Sequence, residues 1–125
     1  MLLLPRPSKK MRATVAMTLD EYQQKAMVTK GKYNTPKDQI INALLGIAGE
    51  SGEIHEMFKK HYSYGREIAR DDLVKEIGDV LWYLAELCDA FDMSLEEVAV
   101  RNIEKLAARH GKSFSGFGNR SGAGK

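Results

Sequence analysis

From Thr18 to Gly111 the apolar residues recur at intervals of three and four, and no stretch alternates apolar with polar residues. A period near 3.6 buries one face only as a helix, so the sequence restricts the chain to an all-α fold. Local punctuation then divides the segment into four helices. Thr18 with Glu21 three residues on forms a capping box, and predicts a first helix to about Thr29, ahead of Gly31. Thr35-Pro36 opens a second, with proline at its first position, running to about Tyr62. Residues 63–70, which include Gly65, read as a loop, and a third helix follows from about Asp71 to Phe91. Ser94 with Glu97 repeats the capping-box pattern and opens a fourth, which stops at His110 before Gly111. Connections this short imply antiparallel neighbours assembled as a four-helix bundle.

The ends differ from the middle. Residues 1–17 carry Arg6, Lys9, Lys10 and Arg12 and no acid, and read as a flexible basic segment. Residues 112–125 continue a Gly/Ser-rich stretch with Lys112, Arg120 and Lys125, and read as a flexible tail. The helical domain is therefore 18–111. The net charge of +2 conceals the division, because residues 18–110 hold 12 basic and 17 acidic side chains. A folded region of that sign disfavours nucleic acid as a partner. At 125 residues, with 43% hydrophobic side chains, the chain suits one ordered domain. The apolar run Met1–Leu4 is too short for a signal peptide or a membrane span, so no membrane association is expected. The single cysteine, Cys88, forms no internal disulfide and fits a cytoplasmic location.

The chemistry concentrates in two acid pairs, Glu50-Ser-Gly-Glu53 and Glu76-Ile-Gly-Asp79. Each pair at i and i+3 lies on one helix face. On a wheel of about 100° per residue the second helix has an apolar stripe of Ile40, Ala43, Leu44, Ile47, Ile54 and Phe58. Glu50 and Glu53 fall on one flank of it. The third helix has Leu73, Ile77, Val80, Leu81, Leu84, Leu87, Cys88 and Phe91, with Glu76 and Asp79 on the same flank, Tyr83 continuing the line and Asp72 preceding it. The fourth has Leu95, Val98, Ala99, Ile103, Leu106 and Ala107, flanked by Asn102, Lys105 and Arg109. Trp82 lies nearly opposite the stripe of the third helix, and is read as an exposed or subunit-interface aromatic in preference to a base-stacking one.

Four carboxylates at a core edge repel one another and lose hydration unless cations neutralise them. All-oxygen ligands suit hard ions, so Mg²⁺, with Mn²⁺ as a substitute, is the expected metal, and a polyphosphate is the ligand such an arrangement holds. Gly46, Gly49 and Gly52 remove side chains beside the acids and permit close approach of a helix or ligand. Competing motifs fail. No histidine has Glu three residues before it, as di-iron bundles require, and there is no cysteine pair or His-x-x-x-His for zinc. Gly111-Lys-Ser lacks the earlier glycine and the strand of a phosphate-binding loop.

GIAGESGEI (46–54), VKEIGDVLWYLAEL (74–87) and RNIEKLAARHG (101–111) resemble the MazG-type all-α nucleotide pyrophosphohydrolases, and TLDEYQQKAM (18–27) resembles their first helix. The resemblance implies a four-helix module assembled as a homodimer or tetramer. It implies Mg²⁺-dependent cleavage of a nucleoside triphosphate between the α- and β-phosphates, giving a monophosphate and pyrophosphate. By motif match, Glu50, Glu53, Glu76 and Asp79 are the metal ligands and catalytic acids. Asn102 and Lys105, with Arg109 and Tyr83, are the substrate-binding candidates. Some members carry an additional acid where this chain has Gly49, which leaves the group that activates water open. Hydrolases of dUTP, dCTP or phosphoribosyl-ATP within this superfamily are alternatives in substrate. The alternative in class is a catalytically silent helical interaction protein that retains the fold.

Overall fold

A computed structural model describes Leu4 and residues 16–111. Apart from Leu4, Ala16 and Met17, the basic segment expected over 1–17 lies outside the described residues, as does the tail expected over 112–125. Four helices occupy the described region: α1 (Leu19–Met27), α2 (Pro36–Tyr64), α3 (Arg70–Ala90) and α4 (Leu95–His110), with no strand among the described residues.

The ends are set by the side chains that announced them. Thr18 Oγ1 accepts the Glu21 N–H at 3.1 Å while the Glu21 carboxylate accepts the Thr18 N–H at 3.4 Å, which closes the capping box. Thr35 and Ser94 each accept an N–H three residues on, from Asp38 and Glu97, both at 3.2 Å. Each cap of this kind contributes about 1 kcal/mol. At the far end of α2, Gly65 takes the left-handed conformation with φ of +68° and donates its N–H to His61 O.

The helices do not surround a shared axis. α2 contacts α3 alone, as a long antiparallel hairpin, whereas α1 lies against α3 and α4. The fully buried apolar residues of the hairpin are small, Ala43 and Ala85. A second cluster of Ala85, Cys88 and Leu95 is covered by Leu19, Tyr22, Met27 and Leu81. Gln23 joins these elements: its amide donates to Met93 O at 2.9 Å and accepts the Leu95 N–H at 2.7 Å.

Two expectations need correction. Leu44, Ile77, Leu84, Phe91, Val98 and Ile103 fall on the apolar stripes expected to form the core, yet they are 37–54% exposed. The periodicity locates an apolar stripe but not what the stripe faces, and within one chain α2 and α3 meet along the flank beside it. Trp82, expected to be exposed or at a subunit interface, is half-buried within the single chain. Its indole N–H donates to Thr29 Oγ1 at 2.9 Å and to Ala26 O at 3.2 Å, which ties α3 to the end of α1.

Candidate metal and nucleotide site

The face of α3 that meets α2 carries Glu76, Asp79, Tyr83, Glu86 and Asp89, and the facing line of α2 carries Glu50, Gly46, Asn42 and Gln39. Spacings of three and four residues keep each line on one face. The lines pair in opposite directions, so successive polar layers join the hairpin beside its buried alanines, Ala43 and Ala85. Gln39 Nε2 donates to Asp89 Oδ2 at 2.8 Å, beside the Lys30–Asp89 ion pair at 2.7 Å. Asn42 Nδ2 donates to Glu86 Oε1 at 2.8 Å. Tyr83 lies directly over Gly46, where an added Cβ would fall 2.5 Å from Tyr83 Cγ and nearer still to Cδ1 and Cε1. The last layer brings Glu50 against Glu76 and Asp79, with one carboxylate oxygen from each lying within 4.8 Å of the others.

These acids oppose one another electrostatically. The Glu50 carboxyl is pushed above its usual range, first by loss of hydration and then by the charges of Asp79 and Glu76, with Glu53 adding a smaller push. Three oxygens from separate side chains, this close together, form the donor set a hard divalent ion takes. The residues present therefore fit a metal ion, held by Glu50, Glu76 and Asp79. Beside them an open cleft of about 350 Å³ is lined by Glu50, Asp79, Trp82 and Tyr83, a size typical of small-molecule sites. A cleft of similar volume, about 370 Å³, lies between α1 and the α3–α4 turn, but Gln23 and Ser94 on its wall are already engaged in joining those elements.

The remaining expected site residues are distributed unevenly. Glu53 is exposed and acts on Glu50 through its charge, but it is outside the three-carboxylate group. Asp72 lines a separate small cleft with Met57, Lys60 and Arg66. Asn102, Lys105 and Arg109 are exposed on α4, which does not contact α2. Of the three glycines in α2, Gly46 alone receives a neighbour, whereas Gly49 and Gly52 face open space.

Other residues around the site lie outside the two acid pairs. Tyr22 on α1 reaches the neighbourhood of Asp79, and its phenol is pushed up first by burial and then by that carboxylate. Trp82 packs edge-on against Tyr83, with ring centres 5.0 Å apart. Glu86 is entirely buried. It continues the Glu76–Asp79–Tyr83 line by one more turn, which was a signal available in the sequence.

The sequence profile of the MazG nucleotide pyrophosphohydrolase domain matches residues 39–114. The "Gene 37 protein" of Mycobacterium phage L5 is 41% identical over an alignment of 69 residues, which covers 52% of this chain and 60% of that protein. The chain thus spans about 60% of the length of the curated relative it matches. No solved structure matches it.

Proposed function

The chain belongs to the MazG nucleotide pyrophosphohydrolase domain family, and on that premise we propose that it hydrolyses a nucleoside triphosphate to a monophosphate and pyrophosphate. The observation that carries the reading is the convergence of Glu50, Glu76 and Asp79 beside a cleft large enough for a nucleotide portion. Glu53, one turn beyond Glu50, completes the proposed ligand set. Mg²⁺ is the proposed ion, with Mn²⁺ able to replace it; bound there, it supplies Lewis acidity and neutralises phosphate charge.

The side chains have separable tasks. The carboxylates hold the metal, and their mutual repulsion keeps the site poised for a cation. Tyr83 and Trp82 form the cleft wall beside them and exclude water from one side of the substrate. Asn102, Lys105 and Arg109 are proposed to meet phosphate or sugar. Positive potential from the last two would stabilise charge developing on the leaving pyrophosphate. Homo-oligomerisation belongs to the same proposal: Ile41, Leu44 and Leu45 on α2 and Val74, Ile77 and Leu84 on α3 are all exposed in one chain. Apolar surface of that extent is ordinarily covered. No helix among the described residues is long and apolar enough to cross a membrane. The proposed setting is the cytoplasm.

The test is a panel of ribo- and deoxyribonucleoside triphosphates with Mg²⁺ or Mn²⁺, scored for pyrophosphate. Release from at least one substrate, abolished by chelator, is the expected result. Absence of turnover across the panel would favour the silent interaction protein.

A further inference from the structure

We propose that Glu86 is the positioning residue of the cleft, acting through Tyr33 and Asn42 to hold Tyr83 in place beside the carboxylates. This rests on the pyrophosphohydrolase reading, because it assigns Tyr83 a place against the nucleotide.

The starting observation is chemical. Glu86 is 0% exposed, and the donors that reach it are neutral: Tyr33 Oη at 3.1 Å and Asn42 Nδ2 at 2.8 Å. A carboxylate buried among neutral donors is a poor stabiliser, since an apolar side chain of similar volume avoids the desolvation cost. What it provides is direction, because each oxygen fixes a particular donor. Asn42 Nδ2 also donates to Tyr33 Oη at 2.9 Å, so the three side chains form a closed triangle. Its corners come from the α1–α2 connection, α2 and α3.

The triangle adjoins Tyr83 on two sides. Glu86 follows Tyr83 by three residues on α3, and Asn42 precedes Gly46, on which the Tyr83 ring lies, by four residues on α2. The third corner, Tyr33, is fixed to both of these by donating to Glu86 and accepting from Asn42. Trp82, fixed to Ala26 and Thr29, holds the ring from its edge. Tyr83 is flanked by Gly46, by Trp82 and, one turn along each helix, by Asn42 and Glu86 of the triangle. Loosening it leaves the carboxylate cluster intact and frees the ring at the cleft.

The experiment compares the full chain with Glu86→Gln, Tyr33→Phe, Tyr83→Ala, the Glu86→Gln/Tyr83→Ala double variant, and Gln23→Leu. The last breaks the two bonds joining α1 to the α3–α4 turn, away from Tyr83. Each is measured for melting temperature, for kcat/KM per folded molecule, and for emission of Trp82, the chain's single tryptophan. The expected result is a loss of about tenfold in kcat/KM for Glu86→Gln and Tyr33→Phe, as misplacement of a substrate-contacting group produces. Both shift Trp82 emission, and the double variant is no slower than Tyr83→Ala alone. Gln23→Leu melts lower at unchanged kcat/KM. Should Glu86→Gln not fold, Tyr33→Phe, which keeps the ring, reads the same outcomes. Equal kcat/KM losses in Gln23→Leu and Glu86→Gln, or multiplicative losses in the double variant, would overturn the assignment. If wild type turns over nothing, the enzymatic reading fails by itself. Trp82 emission then decides the positioning claim: a shift in Glu86→Gln and Tyr33→Phe but not in Gln23→Leu supports it, and no shift overturns it.

Discussion

Gly46→Ala is the most exacting perturbation of the site. The added Cβ would sit 2.5 Å from Tyr83 Cγ, whereas ordinary contact begins near 3.4 Å. The ring must therefore move by roughly 1 Å, or the hairpin must open by that amount. Overpacking of this kind costs about 1–3 kcal/mol. Replacing a mid-helix glycine by alanine returns about 1 kcal/mol. The net is a loss of about 1 kcal/mol, or about 4–8 °C in the melting temperature of a domain this size. The effect on turnover is larger, because Tyr83 and Glu50 line the same cleft and a displacement of about 1 Å costs up to a hundredfold in rate. Gly49→Ala is the comparison: nothing lies within 4 Å of its Cβ position, so it should melt up to about 1 kcal/mol more stably. Differential scanning fluorimetry and pyrophosphate release on the two variants check both halves. A Gly46→Ala protein that gains stability like Gly49→Ala and retains full turnover would refute the close approach of Tyr83 and its place in the site.

Glu53→Gln and Asp79→Asn should each reduce turnover by about a hundredfold or more while circular dichroism remains helical, because volume is preserved and a charged ligand is lost. Millimolar Mg²⁺ should raise the melting temperature with a concentration dependence that Glu50→Gln weakens, since metal binds the folded cluster and not four acids dispersed along an unfolded chain. Without metal, the raised Glu50 carboxyl sets the sign of the pH response. Its folded form holds a proton more tightly than its unfolded form, so its contribution to stability is full below the ordinary glutamate value of 4.5 and is lost as pH rises through the higher folded value; Glu50→Gln should flatten that decline in chelator-treated melts. Light scattering at micromolar concentration should return a mass above the 14.0 kDa of one chain, and a value equal to it would contradict an oligomer.

Much of the fold is written in short-range chemistry. Thr18, Thr35, Ser94 and Gly65 act through bonds to residues three or four positions away, so their helices are legible from sequence. The second acid pair is legible for the same reason: Glu76 and Asp79 lie one turn apart on α3. What periodicity does not carry is the direction a stripe faces. Ile77 and Leu84 look like core on a wheel and are exposed, because α2 meets α3 through Asn42, Gly46, Glu86 and Tyr83. Pairing between distant segments is also absent from any local pattern. Tyr33 and Glu86 are 53 positions apart, and Trp82 and Thr29 are also 53 apart, so neither partnership leaves a mark on the helical repeat. Glu86 itself continues the acidic line of α3, but one more carboxylate on a helix reads as a solvated residue until its burial is known.

The Glu50, Glu76 and Asp79 cluster is proposed to direct cleavage between the α- and β-phosphates. Phosphorus NMR of a nucleoside triphosphate incubated with the protein and Mg²⁺ reads the cleavage position directly. Equal amounts of nucleoside monophosphate and pyrophosphate, absent with Asp79→Asn, are the expected result. Nucleoside diphosphate with inorganic phosphate, or equal turnover by Asp79→Asn, would contradict it.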